Sequence, residues 1–313
     1  MAVRSATCDP AIVQMHPGQL SVSPRTVGAL VAEQFPQWRG LPIRSVPSAG
    51  TVNSIFRIGE NVVARFPLEC AGDLDVVYRD LQREAAAAEE LSGRTPFATP
   101  RPLGIGELGA GYPLPWSIYM WLPGDPATAD SCAQSDSFAT DLSEFIHAVR
   151  LIDTRGRTYN GIGRGGELFS HDEWIQECLT NSVGLLDVPI LRAMWTEMRT
   201  LPRGDTPDVM SHGDLIAPNI LTAGGPLIGV LDVSGYGAAD PALDLVSAWH
   251  LLDGDRRQLL RDHLDCDELE WQRGRAWAFQ QAMGAVWYYA DSNPTMSTNC
   301  RRTLERVIAD YDT

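Results

Sequence analysis

Lysine is absent from all 313 residues, so every fixed cationic side chain is an arginine. Any task usually given to an ammonium group must be done here by a guanidinium, whose planar fork differs in geometry and hydration. Basic charge is scarce altogether: 25 basic residues stand against 40 acidic ones, for a net charge of −15. That balance disfavours nucleic acid or an anionic membrane as a partner, since both require a basic surface. No apolar run approaches membrane-spanning length, and residues 1–20 hold no hydrophobic stretch fit for a signal peptide. The six cysteines (Cys8, Cys70, Cys132, Cys178, Cys266, Cys300) are scattered without a Cys-x-x-Cys pair. They read as free thiols in a reducing cytoplasm, neither a disulfide framework nor a zinc site. Internal repeats and low-complexity tracts are also missing. With 44% hydrophobic and 21% charged residues, what remains is a soluble globular chain, expected as a monomer or homodimer.

The order of local patterns divides the chain. After an irregular segment over 1–25, Val27, Leu30, Val31 and Gln34 repeat at helical spacing over Thr26 to Phe35, and Pro36 stops that helix. Ile43 to Val46, Ile55 to Ile58 and Val62 to Phe66 alternate between two turns, which predicts a three-stranded meander. Leu74 to Leu91 reads as a helix. Pro100 to Leu103 and Ile118 to Trp121 read as two more strands around a Gly- and Pro-rich loop. Pro123-Gly124-Asp125-Pro126 is a breaker, and helices dominate from Ser137 onward. The expected domains are therefore 26–122, a strand-rich lobe, and 123–313, a helical lobe, in an α+β chain.

The chemistry concentrates at Ser211-His212-Gly213-Asp214-Leu215, followed by Asn219 and by Gly229-Val230-Leu231-Asp232. Asp214 is suited to take a proton from an attacking hydroxyl, while Asn219 and Asp232 offer the hard oxygen ligands that Mg²⁺ prefers. The turn residues Thr222 to Pro226 predict a hairpin that returns Asp232 to the side of Asn219. His212 reads as support for the loop. A second signal is Glu84, which falls on one helical stripe with Val77, Leu81, Ala88 and Leu91. A buried carboxylate costs several kcal/mol without a partner, so a cation is expected to meet it. In the first turn of the meander, Gly50 lets backbone amides approach a phosphate and Thr51 and Asn53 add donors, although a plain hairpin turn reads the same way.

Taken in order, these motifs resemble the aminoglycoside phosphotransferase family, kinase relatives with a His-Gly-Asp catalytic loop. The likeness includes Arg57-Ile58-Gly59, Gly111-Tyr112-Pro113, Trp121-Leu122-Pro123-Gly124 and Asp240-Pro241-Ala242-Leu243-Asp244-Leu245, and it covers roughly residues 25 to 300. It implies a two-lobed protein-kinase-like fold, with a small antiparallel sheet and one helix in the first lobe and mostly helices in the second. It also implies an ATP- or GTP-dependent, Mg²⁺-requiring O-phosphotransferase with Asp214 as base and Asn219 and Asp232 as metal ligands. Arg65 then stands where such enzymes keep the lysine that holds the α- and β-phosphates and pairs with the helix glutamate, here Glu84. The carbonyl of Met120 and the amide of Leu122 would meet the purine edge. Gly50, Thr51 and Asn53 would cover the phosphates.

The acceptor side is thinner. The loop Tyr159-Asn160-Gly161 through Arg164-Gly165-Gly166 either flanks the acceptor or is simply solvated. Asp244, Asp291, Trp249, Tyr288 and Tyr289 are expected on the floor of an acidic cleft that would take a cationic or polyhydroxylated small molecule. Asp240 and Asp244 are expected to fix the backbone where the next helix starts. An aminoglycoside or other antibiotic is the acceptor the family name favours, with a metabolite of the choline or homoserine type as an alternative. A non-catalytic nucleotide-binding module is the rival class. Protein kinase activity is disfavoured, because no activation segment follows Asp232.

Overall fold

The computed structural model describes residues 19–47, 52–69 and 72–311. The first lobe opens with α1 (Pro24–Gln34), whose start two residues before the predicted one follows from the Ser23 cap on the Thr26 amide and from proline in the first turn. Next come β1 (Ile43–Val46), β2 (Asn53–Ile58), β3 (Val62–Pro67), α2 (Leu74–Leu91), β4 (Pro102–Gly106) and β5 (Trp116–Met120). The strands form one antiparallel sheet in the order β1-β2-β3-β5-β4. Along β3 the side chains alternate: Val62, Ala64 and Phe66 are buried against Val27, Leu30 and Val31 of α1, together with Phe56 and Trp116. The same alternation turns Val63 and Arg65 to the opposite face, toward α2 and the second lobe.

The second lobe contains β6 (Asp125–Pro126), α3 (Ala129–Cys132), α4 (Asp136–Arg150), α5 (Asp172–Asn181), α6 (Val188–Met198), β7 (Val209–Ser211), β8 (Ile220–Thr222), β9 (Leu227–Val230), β10 (Gly237–Ala239), α7 (Val246–Leu251), α8 (Gly254–Leu264), α9 (Glu268–Tyr288) and α10 (Pro294–Ala309). Its core surrounds α9, whose Ala276, Trp277, Phe279, Ala282 and Met283 are buried. The core runs on into the first lobe through Ala88, Leu91 and Tyr119. The expected hairpin is β8–β9, with Ile220 paired to Val230 and β6 added on its other edge. The segment before β4 joins this sheet as well: the Ala98 amide donates to the Ile228 carbonyl at 3.2 Å, and Val230 donates to Ala98 at 2.9 Å. The hairpin is therefore tied to both lobes, with the loop carrying His212 and Asp214 at its base.

Among the described residues, no helix is long and apolar enough to cross a membrane. Cys132, Cys178, Cys266 and Cys300 are free and buried; Cys8 and Cys70 lie outside the described residues.

Candidate active site

The His212-Gly213-Asp214 loop starts where β7 ends. A β-carbon on Gly213, at φ +81°, would stand 2.5 Å from the Gly235 carbonyl oxygen, so only glycine passes here. Asp244 holds the same point from below: its two carboxylate oxygens accept the amides of His212 (2.8 Å) and Gly213 (2.9 Å). Asp244 is buried, and so is Trp249. This corrects their placement on the acceptor floor. The 3₁₀ turn Pro241–Leu245 rotates Asp244 inward to the loop, and Trp249 is directed into the core, where its Nε1–H meets Asp310. Asp240 does cap its own turn, on the Ala242 amide, and forms a buried pair with Arg273 at 2.6 Å.

His212 is fully buried and spans the loop. Its Nε2 lies 3.0 Å from the Leu231 carbonyl, and the Asp214 amide points at its Nδ1 at 3.4 Å, an arrangement that puts the ring proton on Nε2. One imidazole thus fixes the spacing between the backbone just before Asp232 and the backbone of Asp214.

Asp214 gathers three donors. Asn219 Nδ2 donates to Oδ2 at 2.8 Å and to the backbone carbonyl at 3.0 Å. Gln281 Nε2 donates to Oδ1 at 2.6 Å, and Arg164 Nη2 donates to the same oxygen at 2.9 Å. Burial pushes the Asp214 carboxyl above its ordinary value; Arg164 opposes that rise, Asp232 adds to it, and the Asn219 bond opposes it. Arg164 comes from the loop read as an acceptor flank. Gln281, in the middle of α9, has no motif around it, and no local signal in the sequence marks it.

Asp232 lies just beyond β9 with a left-handed backbone, φ +55°. Ser234 holds it there, donating its amide (3.2 Å) and its hydroxyl (2.7 Å) to Oδ1. The Leu231 amide bonds the Asn219 carbonyl at 2.6 Å, so the hairpin does return Asp232 to Asn219. Oδ2 of Asp232 turns to Arg65 Nη2 at 3.5 Å. Arg65 bonds Glu84 through Nη1 and lies over the Tyr119 ring. For Asp232, burial works against the charged form, but Arg65 and the Ser234 bonds outweigh it and the carboxyl falls below its usual range. For Glu84, burial dominates and raises the carboxyl, with Arg65 pulling the other way. Arg65 is desolvated too, yet Glu84 and Asp232 keep it more firmly protonated than usual. The cation therefore bridges the two lobes.

Among the remaining site expectations, Gly50 and Thr51 lie outside the described residues, and Asn53 opens β2 opposite Pro67. Met120 ends β5 and is exposed. The Trp121 amide is taken by the Asn61 carbonyl at 2.8 Å. The Leu122 amide, in the segment that follows β5, meets no backbone carbonyl among the described residues.

Comparison with known proteins bears on the fold and the family. No curated protein matches the chain. Solved structures do. The GDP complex of an aminoglycoside 2'-phosphotransferase of type IIIa is 18% identical, with 93% of this chain and 100% of that one covered at a TM-score of 0.70. An aminoglycoside phosphotransferase of the APH(2") type, bound to GDP and kanamycin, is 17% identical over 90% and 98% of the two chains, with a TM-score of 0.67. The macrolide 2'-phosphotransferase MphH of Brachybacterium faecium is 17% identical over 88% and 97%, with a TM-score of 0.59. At such identities the likeness establishes the two-lobed kinase-like fold. Residues 45–277, from β1 into α9, match the family model described as the phosphotransferase enzyme family, and the chain is an enzyme of that family.

Proposed function

We propose that the enzyme moves the γ-phosphoryl group of ATP or GTP to a hydroxyl of a polyhydroxylated small molecule, of the antibiotic kind on which its structural neighbours act. The observation that carries this reading is the convergence of Asp214, Asn219, Asp232 and the Arg65–Glu84 pair at one place, from segments as far apart as β3 and the β8–β9 hairpin.

Arg65 is the phosphate-binding cation. Glu84 holds one arm of its fork, and the arm now directed at Asp232 is available to an α- or β-phosphate oxygen. Asn53 and, by resemblance, Gly50 and Thr51 cover the phosphates, while the Met120 carbonyl and the Leu122 amide meet the purine. Asp214 is the base. Its carboxylate is oriented by Asn219 and Gln281, and an acceptor hydroxyl delivered to it gives up its proton as the phosphoryl group arrives.

The donor set also fits Mg²⁺. Asn219 commits its amide nitrogen to Asp214, which turns its amide oxygen away, and Asp232 presents a carboxylate held by Ser234. Asn219 and Asp232 would hold the ion, which when bound neutralises charge on the phosphates.

The full complement of base, ligands and cation argues for catalysis over a passive nucleotide-binding role. A coupled nucleoside-diphosphate release screen over aminoglycosides, macrolides, peptide antibiotics and amino alcohols tests the reading. Release stimulated by at least one hydroxyl-bearing antibiotic is expected; release stimulated only by amino alcohols would assign the enzyme to metabolism instead.

A further inference from the structure

Asp214 is also reached by a chain of side chains running in from α7 and α10, apart from the metal ligands and the phosphate cation. Its last member is Gln281, which leaves the middle of α9 and donates through Nε2 to Asp214 Oδ1 at 2.6 Å. A glutamine can present either end of its amide. With Nε2 forward it donates to the carboxylate; with Oε1 forward it sets one acceptor against another. A group on its far side must select between the two.

His250 stands there. It is buried at the end of α7, and its ring makes a side-chain hydrogen bond with Gln281. Nδ1 of the ring lies 3.0 Å from the Thr303 hydroxyl of α10, so the ring atom left for Gln281 is Nε2. The amide nitrogen is committed to Asp214, so the amide atom left for the ring is Oε1. An amide oxygen only accepts, which makes the imidazole the donor and puts its proton on Nε2. Burial first, and then Arg164 and Arg306, disfavours the protonated ring. The ring is therefore neutral, with one donor toward Gln281 and one acceptor toward Thr303.

The far end of the chain is fixed. Thr303 is fully buried, and its hydroxyl is also 3.1 Å from the Asn299 carbonyl. Arg306, further along α10, donates to the carbonyls of Trp249 (3.0 Å) and His250 (2.8 Å), which ties α7 to α10 beside the ring. At the near end the lone pairs of Asp214 are unequally used. Oδ1 accepts from both Gln281 and Arg164, whereas Oδ2 accepts from Asn219 alone. Each carboxylate oxygen has two lone pairs, so the open one is on Oδ2.

We propose that His250 is a positioning residue for the phosphoryl transfer: it fixes the Gln281 amide with its NH₂ toward Asp214, which fills Oδ1 and leaves Oδ2 to take the acceptor proton. In that step the hydroxyl proton passes to Oδ2 while the hydroxyl oxygen bonds the phosphorus. The bond from phosphorus to the nucleoside diphosphate breaks, and the diphosphate keeps its electron pair. This inference rests on the phosphotransferase reading and deepens it.

Two measurements test it. Imidazole ¹⁵N spectra, with the His250 signals assigned by their loss in His250→Gln, are expected to show the Nε2–H tautomer in the wild type. An Nδ1–H tautomer would overturn the proposal, because the ring would then offer Gln281 only an acceptor. Turnover is then read with ATP and the hydroxyl-bearing antibiotic most active in the release screen, with melting curves to establish folding. His250→Leu and Gln281→Leu are each expected to lower kcat by roughly 10- to 100-fold through misplacement of the base, with nucleotide KM moving less than about two-fold. The double variant should be no slower than the slower single one, since His250 acts only through Gln281. His250→Gln, which keeps a donor and an acceptor, should retain most of the rate. Unchanged kcat in folded His250→Leu, or losses that multiply in the double variant, would overturn the proposal. A wild type that releases no diphosphate with any acceptor would instead remove the phosphotransferase reading, and the tautomer measurement would still decide the geometry.

Discussion

At Arg65 one guanidinium serves Glu84 on α2 and Asp232 below the hairpin, in a chain with no lysine to offer in its place. Removing it leaves the largely covered Glu84 and the half-buried Asp232 without their cation, so Arg65→Ala is expected to cost about 1–3 kcal/mol of stability as well as nucleotide binding. The double variant Arg65→Met/Glu84→Leu separates the two effects: urea unfolding should recover much of the stability, and nucleotide binding should stay lost. Restored binding in the double variant would show that the phosphates are held elsewhere. His250 gives a pH signature. It is buried, bonded to Thr303, and pushed down to about 3 by burial first and then by Arg164 and Arg306. Its unfolded counterpart titrates near 6.5 and binds a proton that the native ring refuses, so stability present above that pH is lost as pH falls toward the native value. The urea midpoint should fall between about pH 7 and pH 5 and fall less in His250→Gln; equal slopes would place the linked proton elsewhere. At this scale the sequence revealed what is local. Asp214, Asn219 and Asp232 share one loop and one hairpin, so their spacing carries the chemistry. Arg164, Asp244 and Gln281 reach Asp214 or its loop across 31 to 67 residues; the segments of Arg164 and Asp244 stand out in the sequence without showing this contact, and nothing beside Gln281 announces it.

Elements were legible where a single face decides them. The limits Leu74 to Leu91 were readable because an apolar stripe runs the whole length of α2 and Asp73 caps its start. β4 was displaced, expected over Pro100 to Leu103 and found over Pro102–Gly106. Its glycines look like loop residues, but they mark close packing. A β-carbon on Gly104 would stand 2.9 Å from the Phe35 ring and one on Gly106 2.3 Å from the buried Trp116 ring. Sequence periodicity does not register a ring arriving from another strand. Gly106→Ala is accordingly expected to destabilise by about 1–3 kcal/mol through overpacking, read as a lower melting temperature. An unchanged melt would mean that Trp116 has room to move. β5 likewise begins at Trp116, two residues before the predicted Ile118, because Trp116 pairs with Gly106.

Over the whole molecule, the net charge of −15 suggested an acidic cleft, but the residues named for it do not all line one. Asp244 and Trp249 are buried structural groups, and the first charge beside the base is Arg164. Net charge reports solubility and long-range field, whereas the sign at one site depends on which loop folds over it. For an acceptor uncharged at its reacting end, KM is expected to change less than about two-fold between roughly 0.05 and 0.5 M salt, because screening acts on charge pairs. A KM that climbs steeply with salt would assign a cationic acceptor.

The transfer itself is open to direct observation. Purified enzyme, nucleoside triphosphate, Mg²⁺ and the acceptor identified by the screen can be followed by mass spectrometry of the acceptor alongside diphosphate release. One phosphoryl group gained per diphosphate formed is expected, with Asp214→Ala slower by on the order of 10²–10⁴ and nucleotide binding retained. Diphosphate formed without a phosphorylated acceptor, or an Asp214→Ala enzyme as fast as the wild type, would contradict it.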